Sequence, residues 1–162
     1  MRILIASVVA LLIASPASAL SCLRPDAVQL YERARDANVS YWIVHGRLRP
    51  LETVREPEPN ILQPASDPPS EDTRTQVLGR VLIGDGSFHP FARNITVRLT
   101  CVSEWCGSFP EDGTEIIAAV EVTDREPLLT IGPCGGNYVE FTEDGMDRLL
   151  ECHRSGNCVW AE

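Results

Sequence analysis

Between Asn94 and Val102, apolar and polar positions alternate. Ile95, Val97, Leu99 and Cys101 fall on one side, with Thr96, Arg98 and Thr100 on the other. A period of two over nine residues predicts a β-strand with one buried face. Other runs rich in apolar and β-branched residues are Val39–Leu48, Gln76–Gly84, Thr114–Val122 and Pro127–Cys134, each bounded by turn residues. Asp85-Gly86 punctuates the stretch after the second of these runs, and Thr123-Asp124-Arg125-Glu126 joins the last two. In Val39–Leu48 both parities carry apolar groups, which predicts a strand covered on both faces.

The period changes at the two ends of this β-rich region. From Arg24 to Ala37, residues Ala27, Leu30, Tyr31 and Ala34 recur at helical spacing, with Pro25 and Asp26 suited to the first turn. Near the C-terminus, Thr142 is placed as an N-cap, Glu143, Asp144 and Asp147 favour a helix start, and Met146, Leu149 and Leu150 form an inward face. Ser155-Gly156-Asn157 ends that helix in a turn. Residues 49–75 break the pattern. Pro50, Pro57, Pro59, Pro64, Pro68 and Pro69 remove ladder donors, and Glu52, Glu56, Glu58, Asp67, Glu71 and Asp72 repel one another, which predicts a long exposed loop. The expected order is helix, strand, long loop, four strands, helix. Antiparallel strands, five or so, closing with a terminal helix read as a mainly β fold, a small barrel.

The first nineteen residues read as a leader. Arg2 precedes the apolar run Ile3–Ala14, which is short for a membrane span, and Ala17-Ser18-Ala19 has the small-x-small form of a cleavage site. The expectation is a signal peptide at 1–19 and one domain at 20–162, secreted or periplasmic, with no membrane span after cleavage. Six cysteines follow the leader: Cys22, Cys101, Cys106, Cys134, Cys152 and Cys158. An even count in an exported chain reads as three disulfides, in a pairing that spacing alone leaves open.

The formal net charge is −9, and every basic side chain is an arginine. Such a balance argues against nucleic acid and against an anionic membrane surface as partners. His45, His89 and His153 lack metal-ligand spacing, no Cys-x-x-Cys occurs, and no calcium loop, phosphate loop or nucleophile elbow is present. No metal, cofactor or catalytic residue is expected. Glu104 and Glu111 near Cys106 would disfavour a reactive thiolate there, so Cys106 reads as a staple. His45 reads as a hydrogen-bonded structural residue near a strand end. Asn38-Val39-Ser40 and Asn94-Ile95-Thr96 are glycosylation sequons, the second close to a strand. Trp42, Trp105, Trp160 and Tyr138 could line a groove. Trp42 suits the core, and Trp105, set between two cysteines, is the expected exposed binding anchor.

Residues 104–141 resemble the netrin-type module, as found in the N-terminal domain of the tissue inhibitors of metalloproteinases. The similarity rests on Cys106-Gly107, Phe109, Glu115-Ile116-Ile117-Ala118, Leu129-Thr130-Ile131 and Cys134, with Cys22 before Pro25 and a strand ending at Gly46. It implies an OB-like barrel in which an N-terminal cysteine is tied to a later strand. On that basis Cys22 pairs with Cys134, leaving Cys101–Cys106 and Cys152–Cys158 as local staples, with Cys22–Cys106 the alternative. Inhibitors of the family present the α-amino group and carbonyl of an N-terminal cysteine to a catalytic zinc. Here Cys22 is the counterpart, but the doubled cysteine of the family is missing, and cleavage after Ala19 leaves Leu20-Ser21 in front of it, whereas the alternative cleavage after Ser21, with Ala19 and Ser21 as the small pair, would expose its amine. The expected function is therefore an exported, non-catalytic binding domain whose partner is a protein or peptide of the envelope or exterior. The alternatives are a metalloprotease inhibitor acting through Cys22, and a lipid-anchored envelope protein in which Cys22 carries the lipid.

Overall fold

The computed structural model describes Cys22 and residues 26–60, 62 and 68–161; the expected leader lies outside them. The elements in chain order are α1 (Ala27–Arg35), β1 (Tyr41–Pro50), β2 (Ser70–Leu82), β3 (Phe88–Val102), β4 (Trp105–Cys106), β5 (Ile116–Glu121), β6 (Leu128–Ile131), β7 (Tyr138–Glu140) and α2 (Glu143–Ser155). Strands β1, β2, β3, β6 and β5 form a sheet that closes on itself, because β5 pairs β1 from Tyr41↔Glu121 to Gly46↔Ile116. The result is a mainly β, OB-like barrel with a helix at each end of the chain. One junction departs from the all-antiparallel expectation: β3 and β6 run parallel, Thr96 opposite Leu128 and Leu99 opposite Ile131.

Two clusters hold the fold, one on each face of the sheet. Inside the barrel, Val44, Val77, Ile95, Val97, Leu99, Ile116, Val120, Leu129 and Ile131 are buried together. The alternation read in β3 is the inward face of this wall, and Ile95, Val97, Leu99 and Cys101 are almost fully buried. On the outer face, Ile43, Ile117 and Ala119 pack against Ala27, Leu30, Met146 and Leu149 of the helices. This second layer explains why β1 is apolar at both parities. At about 25 cal/mol per Å² of apolar surface removed from water, covering both faces is what stabilises so short a barrel.

Several boundaries move. Helix α1 starts at Ala27, not Arg24, because Asp26 is its N-cap and accepts from the amides of Val28 and Gln29; it ends at Arg35. Strand β1 continues past Gly46 to Pro50. The polar stretch Ser70–Thr75, read as loop, opens β2, because it pairs with β3 from Ser70↔Thr100 to Thr75↔Ile95 and turns Thr73 and Thr75 inward. The connector is thus limited to 51–69 and is not wholly exposed: Pro57 is buried, and Val54 packs on the barrel core. Two short strands, β4 and β7, were not expected. Strand β7 takes over the edge of β5 that β6 leaves, pairing Ile117 with Val139. Helix α2 has the expected Thr142 N-cap, which accepts from the Gly145 amide, and it ends at Gly156 with φ 73°.

Candidate functional site

Trp105 sits at the tip of a hairpin made by the end of β3 and β4. Cys101 and Cys106 stand opposite each other and are joined by a disulfide, and Val102 stands opposite Trp105. The connecting pair Ser103-Glu104 forces a left-handed backbone at Ser103, with φ 57°, a region that costs a non-glycine residue roughly 1–2 kcal/mol. The strain persists because the bridge and the ladder hold both sides of the turn. Val102 and Trp105 are 54% and 51% exposed, so the clamped turn presents two adjacent apolar side chains to solvent. Beneath it, the carbonyl of Pro57 lies 3.5 Å from the Cys106 sulfur, backing the hairpin with the long connector. The next residue must be glycine: a Cβ on Gly107 would collide with the Ile131 carbonyl at the end of β6.

That close approach sets the hairpin beside a groove of about 640 Å³. Its wall includes Ser108, Gly132 and Pro133, and its rim carries the Cys22–Cys134 disulfide. Tyr138, Asp26 and Arg148 also face it. Asp26 is 6% exposed, yet all its acceptor capacity is used. Oδ1 accepts from Val28 and Gln29, and Oδ2 accepts from Arg148 at 2.9 Å and from the Ala161 amide at 3.1 Å. Burial acts to raise its pKa. The Arg148 hydrogen bond, the amides of Gln29 and Ala161 and the Arg148 charge outweigh that and hold it below the ordinary carboxylate value. This carboxylate is an anchor for chain segments, held ionised, and is unsuited to donate a proton near neutral pH. Tyr138 is pushed up, first by burial and then by the charge of Glu140.

The cysteines pair Cys22–Cys134, Cys101–Cys106 and Cys152–Cys158, as the resemblance implies, and not Cys22–Cys106. None is a free thiol. The aromatic candidates do not converge. Trp42 packs on the barrel core, edge-on to Phe91 at 5.3 Å. Trp160 is exposed on the C-terminal tail, where its indole donates to Glu32 at 2.6 Å. Only Tyr138 lines the groove, and Trp105 stands on the hairpin that adjoins it.

His45 lies inside β1, not near its end, because the strand runs on to Pro50. Its ring stacks on Phe141 at 4.1 Å; Arg80 donates to Nδ1, and Nε2 donates to Glu115, each at 3.3 Å. With both nitrogens engaged it is the structural histidine expected. His153 shares a 2.9 Å hydrogen bond with the Tyr31 hydroxyl. No group of three metal-ligating side chains occurs among the described residues. Glu143 and Asp144 occupy the first turn of α2, and Asp144 accepts from Arg148 at 2.9 Å. Asn38 is exposed in the link from α1 to β1, whereas Asn94 is tied into β3 opposite Gln76.

Sequence reasoning missed the pairing of Asp26 with Arg148. The N-cap character of Asp26 was legible, but its partner lies 122 residues away. No protein-family model, no curated protein and no solved structure matches the chain.

Proposed function

We propose that this protein is an exported binding module without catalysis of its own, acting on a protein or peptide of the cell envelope or exterior. The observation that carries the reading is the exposure of Trp105 beside Val102 on a disulfide-clamped hairpin. An aromatic side chain held rigid in solvent gives a partner a large contact area at little entropic cost. Three disulfides suit an oxidising compartment, secreted or periplasmic, and no helix among the described residues is long and apolar enough to cross a membrane. The test is capture from a native envelope extract by the exported protein and by its Trp105→Ala variant. Loss of the captured species in the variant supports the reading; equal capture removes Trp105 as the anchor.

A second reading, inhibition of a metalloprotease, draws on the Cys22–Cys134 bridge, which pins Cys22 at the rim of the groove. That mechanism needs a free α-amino group on Cys22. N-terminal sequencing decides it, since a first residue of Leu20 leaves the required amine inside the chain. The same bridge consumes the sulfur that a lipid anchor on Cys22 would need, which favours the soluble readings over the lipid-anchored one.

A further inference from the structure

We propose that the uncovered outer face of β1, β2 and β3 is a docking surface for an acidic polypeptide segment. Cross-strand partners point to the same side of a sheet. The register pairs Arg47 with Leu78, Arg49 with Gln76 and His45 with Arg80; across β2 and β3 it pairs Arg74 with Thr96, Gln76 with Asn94, Leu78 with Ala92 and Asp72 with Arg98. On these three strands the helix-packed cluster takes in Ile43, with Tyr41, Leu82 and Phe88 partly buried against it at the same end. The remainder carries Arg47, Arg49, Arg74, Arg80 and Arg98 around Leu78, which is 41% exposed.

The sign of this face opposes that of the whole chain, whose net charge is −9. Its acidic groups are Glu115, paired with Arg47, Asp72, paired with Arg98, Glu126, which accepts from the Thr96 hydroxyl at 3.1 Å, Glu121, whose charge reaches Arg98, and Glu52, which accepts from the Arg74 amide at the rim. Among the described residues, Arg49, Arg74 and Arg80 form no ion pair with a carboxylate. Arg98 shows how this face holds an acid: its Nε and Nη2 donate to the two oxygens of Asp72 at 2.7 and 2.8 Å. A planar fork of that kind matches a carboxylate from a partner equally well.

The rest of the surface selects among polyanions. The acidic balance of the whole chain disfavours nucleic acid, and the exposed ring on this side of the sheet, Trp105, stands opposite Val102 at the far end of β3 from Leu78 and Ala92. What it offers is an apolar centre, Leu78 and Ala92, flanked by the amides of Gln76 and Asn94 and ringed by arginines. An apolar centre with a charged rim is the layout of a protein–protein contact, so the complementary partner is a peptide with carboxylates around an aliphatic side chain.

The inference rests on the reading of this chain as a binding module, but it uses a different set of residues from the Trp105 hairpin. The probe is a fluorescein-labelled, glutamate-rich peptide with a central leucine, titrated with the full exported protein and followed by anisotropy. Saturable binding that weakens as salt rises is expected. An Arg49→Glu/Arg74→Glu variant with an unchanged circular dichroism spectrum should bind roughly tenfold or more weakly. Arg49→Lys/Arg74→Lys, which keeps charge without the fork, should fall between them. Trp105→Ala should bind the probe as the parent does. Failure of the peptide to bind, equal binding by the charge-reversed variant, equal binding of a lysine-rich peptide, or binding of a heparin fragment in place of the peptide would each overturn the proposal. If the peptide fails while Trp105-dependent capture persists, this surface is refuted and the general function stands.

Discussion

Arg148 of α2 donates to Oδ2 of Asp26, the N-cap of α1, at 2.9 Å. One ion pair thereby joins the two helices, and the Ala161 amide on the same oxygen draws the C-terminal tail to them. Removing one partner leaves the other in a poorly solvated place. Asp26→Ala, which also loses the cap, should cost about 3–5 kcal/mol in urea unfolding at neutral pH. Because the folded pKa of Asp26 lies below 3.8, its contribution is complete above the unfolded value and is lost as pH falls through the folded one. The parent should lose urea resistance across that acidic interval, and Asp26→Asn should show a flatter pH profile there.

Gly46 and Gly79 face each other where β1 and β2 cross, and a Cβ on either would strike the opposite backbone, Leu78 or His45 respectively. Neither strand can move away without opening the barrel. Gly79→Ala should therefore destabilise the protein by about 2–3 kcal/mol or more. Gly84→Ala, with open space around it, should stay within about 0.5 kcal/mol of the parent. Comparable losses for the two, measured by denaturant midpoint, would contradict this account of the crossing.

The disulfides should differ in worth. Cys22–Cys134 spans 112 residues and Cys152–Cys158 only 6. In the chain-entropy model the first constrains the unfolded chain by about 5 kcal/mol and the second by about 2 kcal/mol. Paired Cys→Ala variants, unfolded in urea, should rank in that order.

Ser103→Gly relieves the positive φ at the hairpin tip. The relief exceeds the added freedom of the unfolded chain, so a gain of up to about 1 kcal/mol is expected. A higher melting temperature, with Trp105 left in place, is the readout; a lower one would show that Ser103 makes a compensating contact.

Where residues interact with near neighbours, the sequence carried the signal. Ile95, Val97, Leu99 and Cys101 declare the inward face of β3 by alternation alone, and all are buried. Thr142 and Gly156 mark the two ends of α2, as cap chemistry requires. The signal weakened where a partner strand supplies the stability. Ser70–Thr75 reads as polar loop, although Thr73, Thr75 and Val77 alternate inward once β3 lies alongside. The presence of Trp105 between two cysteines was legible; the docking of the hairpin base on the end of β6 was not, since that depends on Gly107 meeting Ile131.

Local periodicity, caps and cysteine content settled the class of this protein from its sequence: a β-rich domain with flanking helices and six sulfurs available for bridges. These depend on each residue's own preference and on spacings of a few positions, which a linear chain displays. Only the tertiary structure decided the parallel meeting of β3 with β6, the closure of β5 on β1, and the clustering of arginines on one uncovered face. Those depend on contacts between distant segments, whose loop-closure cost is repaid only when many of them form together.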